Sequence, residues 1–264
     1  MEFSKVEQQA LRNVAEELAE AARGVTLRYF RTAMAVDNKE VGGFDPVTAA
    51  DREAEQAMRA VLAKRRPDDA IFGEEFGKTS GTSGLTWVLD PIDGTRAFIS
   101  GAPSWGVLIG LDAGQGPVLG VIDQPFTGER FIGGFGKADW ARTDERRTIS
   151  VRACAGLENA TLMTTFPEVG TGDERGAFMA VSGTCKLTRY GLDCYAYALL
   201  AMGQIDLVIE AGLNAYDVQG PIGVVQGAGG IVTDWQGKPA HNGGQIIAAG
   251  DARAHAAALE ILNS

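Results

Sequence analysis

Short apolar runs that end in carboxylates are the feature that most constrains the fold of this chain. Ala70-Ile71-Phe72-Gly73 is followed by Glu74-Glu75, and Thr86-Trp87-Val88-Leu89 is followed by Asp90. Runs of this length and composition are typical of buried strands. A carboxylate at the end of such a strand needs solvent or a cation, because burial without a partner is strongly unfavourable. The sequence therefore predicts strands whose acidic ends gather at a polar or metal-binding site.

The order of the elements predicts the fold class. Apolar residues recur at helical spacing over residues 4–30 and again over residues 48–64, and an antiparallel sheet follows, with hairpins around 112–116 and 127–128. The second half alternates strands and helices, as α/β layers do. We predict its elements at 161–163, 187–190, 194–202, 205–210, 216–227, 229–234, 245–249 and 253–262. We expect one compact unit with a soft boundary near residue 150, between subdomains 1–150 (α+β) and 151–264 (α/β).

Composition restricts the partners. The 264 residues are 45% hydrophobic and carry a formal charge of −10, so no basic surface for nucleic acid is expected. No uninterrupted apolar run approaches the roughly 18 residues of a membrane span, and no apolar signal region opens the chain. We expect no membrane partner and a cytoplasmic location. An acidic chain that handles an anionic substrate needs a local cation, which a bound metal ion would supply.

The densest acidic cluster is Asp90-Pro91-Ile92-Asp93-Gly94-Thr95. Pro91 predicts that the strand stops at Asp90, since proline cannot continue a ladder of hydrogen bonds. The following turn could direct both carboxylates and the Ile92 carbonyl at one cation. Gly94 and Thr95 would then begin a helix whose free N–H groups suit a phosphate. A capped turn with Asp93 as the helix N-cap is the alternative interpretation.

Four motifs in register resemble the inositol monophosphatase family. Trp87 to Thr95 resembles its signature, residues 45–51 its upstream motif and Gly73-Glu74-Glu75 its glutamate motif. Residues 210–230, with Tyr216-Asp217 where the family usually has Trp-Asp, resemble its C-terminal motif. The resemblance spans roughly residues 10–260 and implies a layered α-β-α-β-α sandwich, with the site between the two halves.

The resemblance also implies roles for single residues. It implies two or three Mg²⁺ ions bound by five groups: Glu74, Asp90, the Ile92 carbonyl, Asp93 and Asp217. It implies that Asp51 and Thr95, helped by Glu74, orient and deprotonate a metal-bound water that attacks phosphorus without a covalent phosphoenzyme. The phosphate would lie on the N–H groups of Gly94 and Thr95, with Asp217 also close to the substrate. The family commonly forms homodimers.

The substrate-setting segments resemble the histidinol-phosphate phosphatase branch of that family. These are the extension from Arg96 through Trp105-Gly106, residues 191–197, and 210–213. Histidinol phosphate carries an ammonium group and a titratable imidazole, so its pocket should add carboxylates, and Asp193 and Glu210 are the candidates. Asp193 could instead cap the following helix, and Glu210 could be a solvated strand end.

Several alternatives stay open on the sequence alone. The ester could be an inositol 1-phosphate or another sugar or nucleotide phosphomonoester in place of L-histidinol phosphate. The chain could also be a catalytically idle, metal-binding regulatory relative, although no proposed ligand is missing. The sequence does not decide the roles of Lys39, Trp105 and Arg189.

Overall fold

The computed structural model describes residues 1–33, 36–38 and 46–264. The described residues form seven α-helices: α1 Lys5–Tyr29, α2 Ala49–Arg65, α3 Thr95–Ile99, α4 Gly172–Ser182, α5 Tyr195–Ala201, α6 Ala215–Gly227 and α7 Ala252–Leu262. Their strands up to the middle of the chain are β1 Val36–Asn38, β2 Pro46–Thr48, β3 Ala70–Gly73, β4 Gly77–Thr79, β5 Thr86–Asp93, β6 Gly106–Asp112, β7 Pro117–Gln124, β8 Glu129–Gly134, β9 Lys137–Arg142 and β10 Glu145–Ile149. The strands that follow are β11 Thr161–Thr164, β12 Leu187–Tyr190, β13 Leu207–Asn214, β14 Ile231–Thr233 and β15 Gly243–Ala249.

Two large sheets alternate with three helix layers. The first sheet has the order β10-β9-β8-β7-β6-β5-β3-β4, and the second has the order β12-β11-β13-β15-β14. Helices α1 and α2 cover the outer face of the first sheet, α5 and α6 lie between the sheets, and α4 and α7 cover the second sheet. The predicted α-β-α-β-α sandwich is confirmed. The soft boundary near residue 150 stays a prediction, although separate stretches, 70–149 and 161–249, form the two large sheets.

Helix α6 lies in the central layer and makes backbone-to-backbone contact with the first sheet. A Cβ atom built on Gly120 of β7 would lie 2.1 Å from the carbonyl oxygen of Gly220 in α6. Glycine at this position lets the helix approach more closely than any side chain allows. This close packing fixes the start of α6, and therefore Asp217, relative to the strands of the first sheet.

The end of β5 corrects one prediction. The strand does not stop at Asp90 but continues to Asp93, with a break in register between the pairs Asp90–Leu108 and Asp93–Gly106. Pro91 lies within that irregularity, where no ladder hydrogen bond is needed from its nitrogen. Helix α3 then begins at Thr95 with Gly94 as its N-cap. The predicted helix start is confirmed, and the alternative with Asp93 as N-cap is wrong.

Within the described part of the chain, no helix is both long enough and apolar enough to cross a membrane.

Candidate active site

Three carboxylates from two elements meet between the two sheets. Asp90 and Asp93 lie at the end of β5, and Asp217 lies in the first turn of α6. Each offers a carboxylate oxygen, and these oxygens lie within 4.8 Å of one another. Asp90 is buried, and Asp93 and Asp217 are half-buried. The fold therefore brings together Asp90 and Asp217, which are 127 positions apart in the sequence.

Local hydrogen bonds fix the turn that carries two of these groups. The Ile92 N–H donates to Oδ1 of Asp90 at 3.0 Å, and the Thr95 hydroxyl donates to the Ile92 carbonyl at 3.1 Å. Gly94 has a φ of 78°, a left-handed conformation that favours glycine. On α6, the Asn214 N–H donates to Oδ2 of Asp217 at 2.6 Å. The carboxylates are thus oriented by backbone donors before any ligand binds.

The electrostatics of the cluster suit a cation. Burial raises the pKa of Asp90 well above its ordinary value, and the charges of Glu74, Asp93 and Asp217 raise it further. Burial also raises the pKa of Asp93, with additional repulsion from Asp193 and Asp217. A hard divalent cation with oxygen ligands would neutralise this repulsion. The donor set is all oxygen and acidic, so the residues present fit Mg²⁺ chemically.

Glu74 and Asp51 lie on two further elements, after β3 and in α2. Glu74 follows β3, which pairs in parallel with β5, and it is close enough to Asp90 to raise that pKa. Asp51 is 1% exposed in the first turn of α2. Its Oδ2 accepts hydrogen bonds from the Thr48 N–H at 2.8 Å and the Thr48 hydroxyl at 2.6 Å. Asp51 therefore caps its own helix.

Asp193 lies against the turn between β5 and α3. A Cβ atom built on Gly94 would lie 2.7 Å from Cγ of Asp193. The Ser104 hydroxyl donates to Oδ2 of Asp193 at 2.7 Å, and Asp193 itself has a φ of 47°. Burial raises the pKa of Asp193, and the Ser104 hydrogen bond opposes that shift. The N-cap of α5 is Cys194, so the interpretation of Asp193 as a helix cap is wrong.

Glu210 is buried on β13 and has protein donors on both oxygens. Oε1 accepts from the Thr165 N–H at 3.0 Å and the Thr165 hydroxyl at 2.6 Å, and Oε2 accepts from the Tyr197 hydroxyl at 2.9 Å. Burial raises the pKa of Glu210, and these donors oppose the shift. With 7% exposure it is not a solvated strand end. Its first role is to tie the segment after β11 to α5.

A cavity of about 310 Å³ is lined by some of these groups. Its wall includes the carboxylates of Asp93, Asp193, Glu210 and Asp217, together with Gly94 and Thr95 of the turn. Glu168 and Phe166 border it on the segment after β11, with Phe166 lying 5.3 Å from the Arg96 guanidinium. The cavity is therefore acidic at its base and partly apolar at its rim.

Some residues named from the sequence lie elsewhere. Trp105 is fully buried in a cluster with Phe30 and Phe98, at ring distances of 5.2 and 4.8 Å. Arg189 is exposed on β12, an edge strand. Lys39 lies outside the described residues, as does the start of the upstream motif at Asp45.

Sequence reasoning missed several residues that shape the cavity. Ser104 was noted only as part of a longer motif, yet it orients Asp193 from 89 positions away. Tyr197 was likewise noted only as part of the segment 191–197. Thr165 and Glu168 gave no local signal, because only the pairing of β11 with β13 brings their segment to the cavity.

The five layers and the clustered carboxylates define a layered α/β protein with an acidic site that fits a divalent cation. Comparison with known proteins gives the family. A model described as the inositol monophosphatase family matches residues 7–264. The chain belongs to that family and is a phosphoric monoester hydrolase.

Three similar proteins illustrate the range of the family. The bifunctional phosphatase IMPL2, chloroplastic, of Arabidopsis thaliana is 40% identical, with 99% of this chain and 77% of the relative covered. A histidinol-phosphatase of Chlorobaculum parvum is 34% identical, with 85% of this chain and 86% of the relative covered. Among solved structures, an inositol monophosphatase from Zymomonas mobilis has a TM-score of 0.86 and 40% identity, with 99% of this chain and 100% of that chain covered.

Proposed function

We propose that this phosphatase hydrolyses L-histidinol phosphate to L-histidinol and phosphate, a step of histidine biosynthesis. The observation that carries the choice of substrate is the position of Asp193. Its carboxylate lies beside Gly94, in the same cavity as Asp93 and Asp217. A carboxylate next to the turn that would hold the phosphate suits an ester whose alcohol bears an ammonium group. A neutral, hydroxyl-rich alcohol has no need of that charge.

The site residues divide between metal and substrate. We assign Glu74, Asp90, Asp93, Asp217 and the Ile92 carbonyl to two or three Mg²⁺ ions. Bound Mg²⁺ would lower the pKa of water and neutralise charge on the phosphate oxygens. We assign the phosphate to the N–H groups of Gly94 and Thr95, and the cationic alcohol to Asp193 and Glu210.

The reaction is a direct displacement at phosphorus. The oxygen of a water molecule forms a bond to phosphorus while the ester P–O bond breaks. The departing alkoxide takes a proton from solvent and leaves as the alcohol, and the proton removed from the attacking water is later returned to solvent. Asp51 and Thr95 orient the water and accept its proton, with Glu74 beside them. The Thr95 hydroxyl is fixed for this by its hydrogen bond to the Ile92 carbonyl.

Inositol 1-phosphate is the second candidate substrate. It is favoured by the 40% identity to the Zymomonas mobilis inositol monophosphatase over almost the whole of both chains.

Phosphate release tests the proposal. The purified chain is assayed with L-histidinol phosphate, inositol 1-phosphate and a panel of sugar and nucleotide monophosphates, each with Mg²⁺ and with EDTA. We expect Mg²⁺-dependent release that is fastest, by kcat/KM, with histidinol phosphate. Preference for inositol phosphate would reject the substrate but keep the metal mechanism. No release from any ester would favour a metal-binding regulatory role.

The homodimer and the cytoplasmic location are also proposals. Light scattering coupled to size-exclusion chromatography tests the first, with a mass near twice 27.8 kDa expected. Fluorescent tagging of the chain in its own cell tests the second.

A further inference from the structure

Glu55 is a fully buried carboxylate that the proposed reaction does not use. It lies on α2, four residues after Asp51 and therefore on the same face of the helix. Its exposure is 0%, as low as that of the apolar Ala54 and Met58 beside it. A buried carboxylate at a helix position otherwise occupied by core residues needs specific donors to be stable.

The donors of Glu55 belong to the turn that carries Glu74. Oε2 accepts from the Glu75 N–H at 2.7 Å, and Oε1 accepts from the Phe76 N–H at 3.3 Å. This turn joins β3 to β4, and Glu74 is its first residue after β3. The Glu55 carboxylate also occupies the space beside Gly73, where a built Cβ would lie 1.9 Å from Oε1.

Arg59 completes the contact from the next turn of α2. Its Nε donates to Oε1 of Glu55 at 2.7 Å, while Nη2 donates to the Gly77 carbonyl at 2.6 Å and Nη1 to the Thr79 hydroxyl at 2.9 Å. The pair formed by Glu55 and Arg59 thus binds both ends of the β3–β4 turn. Glu55 accepts hydrogen bonds from N–H groups of the turn, and Arg59 donates hydrogen bonds to oxygens of Gly77 and Thr79.

We infer that Glu55 is a positioning residue that holds Glu74 in register with Asp51 and with the carboxylates of β5. Asp51 and Glu55 share one rigid helix, so the hydrogen bonds from Glu55 to the Glu75 and Phe76 N–H groups fix the distance between Asp51 and the Glu74 turn. Glu55 acts through the turn, because its oxygens accept from the N–H groups of Glu75 and Phe76, and it is not one of the proposed metal ligands. This inference rests on the proposed assignment of Glu74 as a metal ligand.

The negative charge of Glu55 matters as well as its shape. Three N–H donors converge on its two oxygens. A glutamine there would direct its own NH₂ group at one of these donors and leave that contact repulsive. The turn would then relax, and the Glu74 carboxylate would move relative to the rest of the cluster. Groups that orient metal ligands in this way typically change metal affinity by about 10- to 100-fold when removed.

The experiment measures Mn²⁺ binding by the decrease of the free-ion electron paramagnetic resonance signal, in the full chain and without substrate. Glu55→Gln is compared with Glu53→Gln, which makes the same chemical change on the exposed side of the same helix. We expect Glu55→Gln to weaken Mn²⁺ binding by at least about 10-fold, with kcat largely restored at saturating Mg²⁺. Glu53→Gln should bind Mn²⁺ like the wild type.

The outcomes distinguish a failure of the positioning role of Glu55 from a failure of the proposed metal site. A folded Glu55→Gln variant whose Mn²⁺ affinity stays within twofold of wild type overturns it, even if the melting temperature falls. A wild-type chain that binds no Mn²⁺ overturns the proposed metal site and this inference with it. If Glu55→Gln does not fold, Glu55→Asp takes its place, with weaker Mn²⁺ binding expected because the shorter side chain cannot reach the turn. If neither folds, amide exchange in the wild type decides: the Glu75 N–H should be protected, and exchange at the rate of an open loop overturns the inference.

Discussion

The backbone N–H of Cys194 donates a 2.8 Å hydrogen bond to Oδ2 of Asp93, across 101 positions of sequence. This bond ties the start of α5 to the acidic turn after β5. The same segment holds Asp193 against Gly94. Asp193, which we propose binds the alcohol, and the Gly94 turn, which we propose binds the phosphate, are therefore parts of one rigid unit. A substitution in either part should alter the position of the other.

Substitution of Asp193 tests recognition of the cationic alcohol. Asp193→Asn keeps an oxygen for the Ser104 hydroxyl but removes the charge that would face the substrate ammonium or imidazolium. Loss of one buried charge-assisted contact is worth about 1.5–3 kcal/mol, so KM for histidinol phosphate should rise by about 10-fold or more. Steady-state kinetics with phosphate detection measure it.

The matched control for this variant is a neutral-alcohol ester. KM for inositol 1-phosphate, or for a generic sugar phosphate, should change by less than about threefold, a difference below 1 kcal/mol. Equal increases for the charged and the neutral ester would remove Asp193 from the binding of the alcohol.

Gly94 should not tolerate a side chain. Gly94→Ala must adopt a φ of 78° and must also place its Cβ 2.7 Å from Cγ of Asp193. The backbone strain alone costs about 1–2 kcal/mol, and displacement of Asp193 should add a loss of kcat/KM. Chemical denaturation and the phosphate assay measure the two effects.

Gly136→Ala is the control for backbone strain. Gly136 has a φ of 81°, and a Cβ built there meets nothing within 4 Å. We expect a similar loss of stability from the left-handed conformation but unchanged kcat/KM. A Gly94→Ala variant that retains wild-type activity would show that Asp193 and the turn are not coupled as described.

Asp90 should stabilise the loaded protein and destabilise the metal-free one. Because the pKa of folded Asp90 is raised above its unfolded value, ionisation above about pH 4 opposes folding. Asp90→Asn removes that repulsion while an oxygen can still accept from the Ile92 N–H. With EDTA at pH 7.5, the free energy of unfolding of the variant should exceed that of the wild type, because burial and the neighbouring carboxylates raise the pKa of Asp90 in the folded state.

The same variant should lose its response to metal. Mg²⁺ should raise the melting temperature of the wild type but not of Asp90→Asn, and phosphatase activity should fall by several orders of magnitude. The stability gain should shrink as the pH falls through the folded pKa of Asp90 and should vanish below about pH 4, where Asp90 is protonated in both states. A metal-free variant less stable than the metal-free wild type contradicts the repulsion described here.

Much of the fold follows from patterns that are local in sequence. The spacing of apolar residues predicts α1 and α2 to within about two residues, and the hairpin around residues 112–116 is confirmed as the turn between β6 and β7. The prediction missed α4, where Gly172 and Gly176 weaken the helical pattern. A signal was present there, since Thr171 and Glu174 form a capping box.

The site is predictable only where function and local structure coincide. Asp90, Asp93 and Gly94 form one short motif, so spacing alone indicates a turn that can bind a cation. Ser104 and Glu55 act through partners that tertiary packing brings to them. The sequence position of Glu55 is still informative, because a carboxylate on the apolar face of a helix needs a buried hydrogen-bond donor. The sequence does not show which donor it meets.

The ion pair between Arg152 and Asp206 gives a prediction on pH outside the active site. Asp206 is 2% exposed and accepts from Arg152 Nε at 2.7 Å, from Arg152 Nη2 at 2.5 Å and from the Thr161 N–H at 2.8 Å. Burial alone would raise the pKa of Asp206, but these donors outweigh it and lower that pKa. Asp206→Asn should therefore reduce the free energy of unfolding by about 1–3 kcal/mol at pH 7.

Because the folded pKa of Asp206 lies below the unfolded one, the stabilisation by its charge is complete above the unfolded value near pH 4. It is lost as the pH falls through the folded value. Denaturation curves of wild type and variant should converge below pH 4. A difference that stays constant from pH 7 to pH 3 would mean that the Asp206 charge does not stabilise the fold.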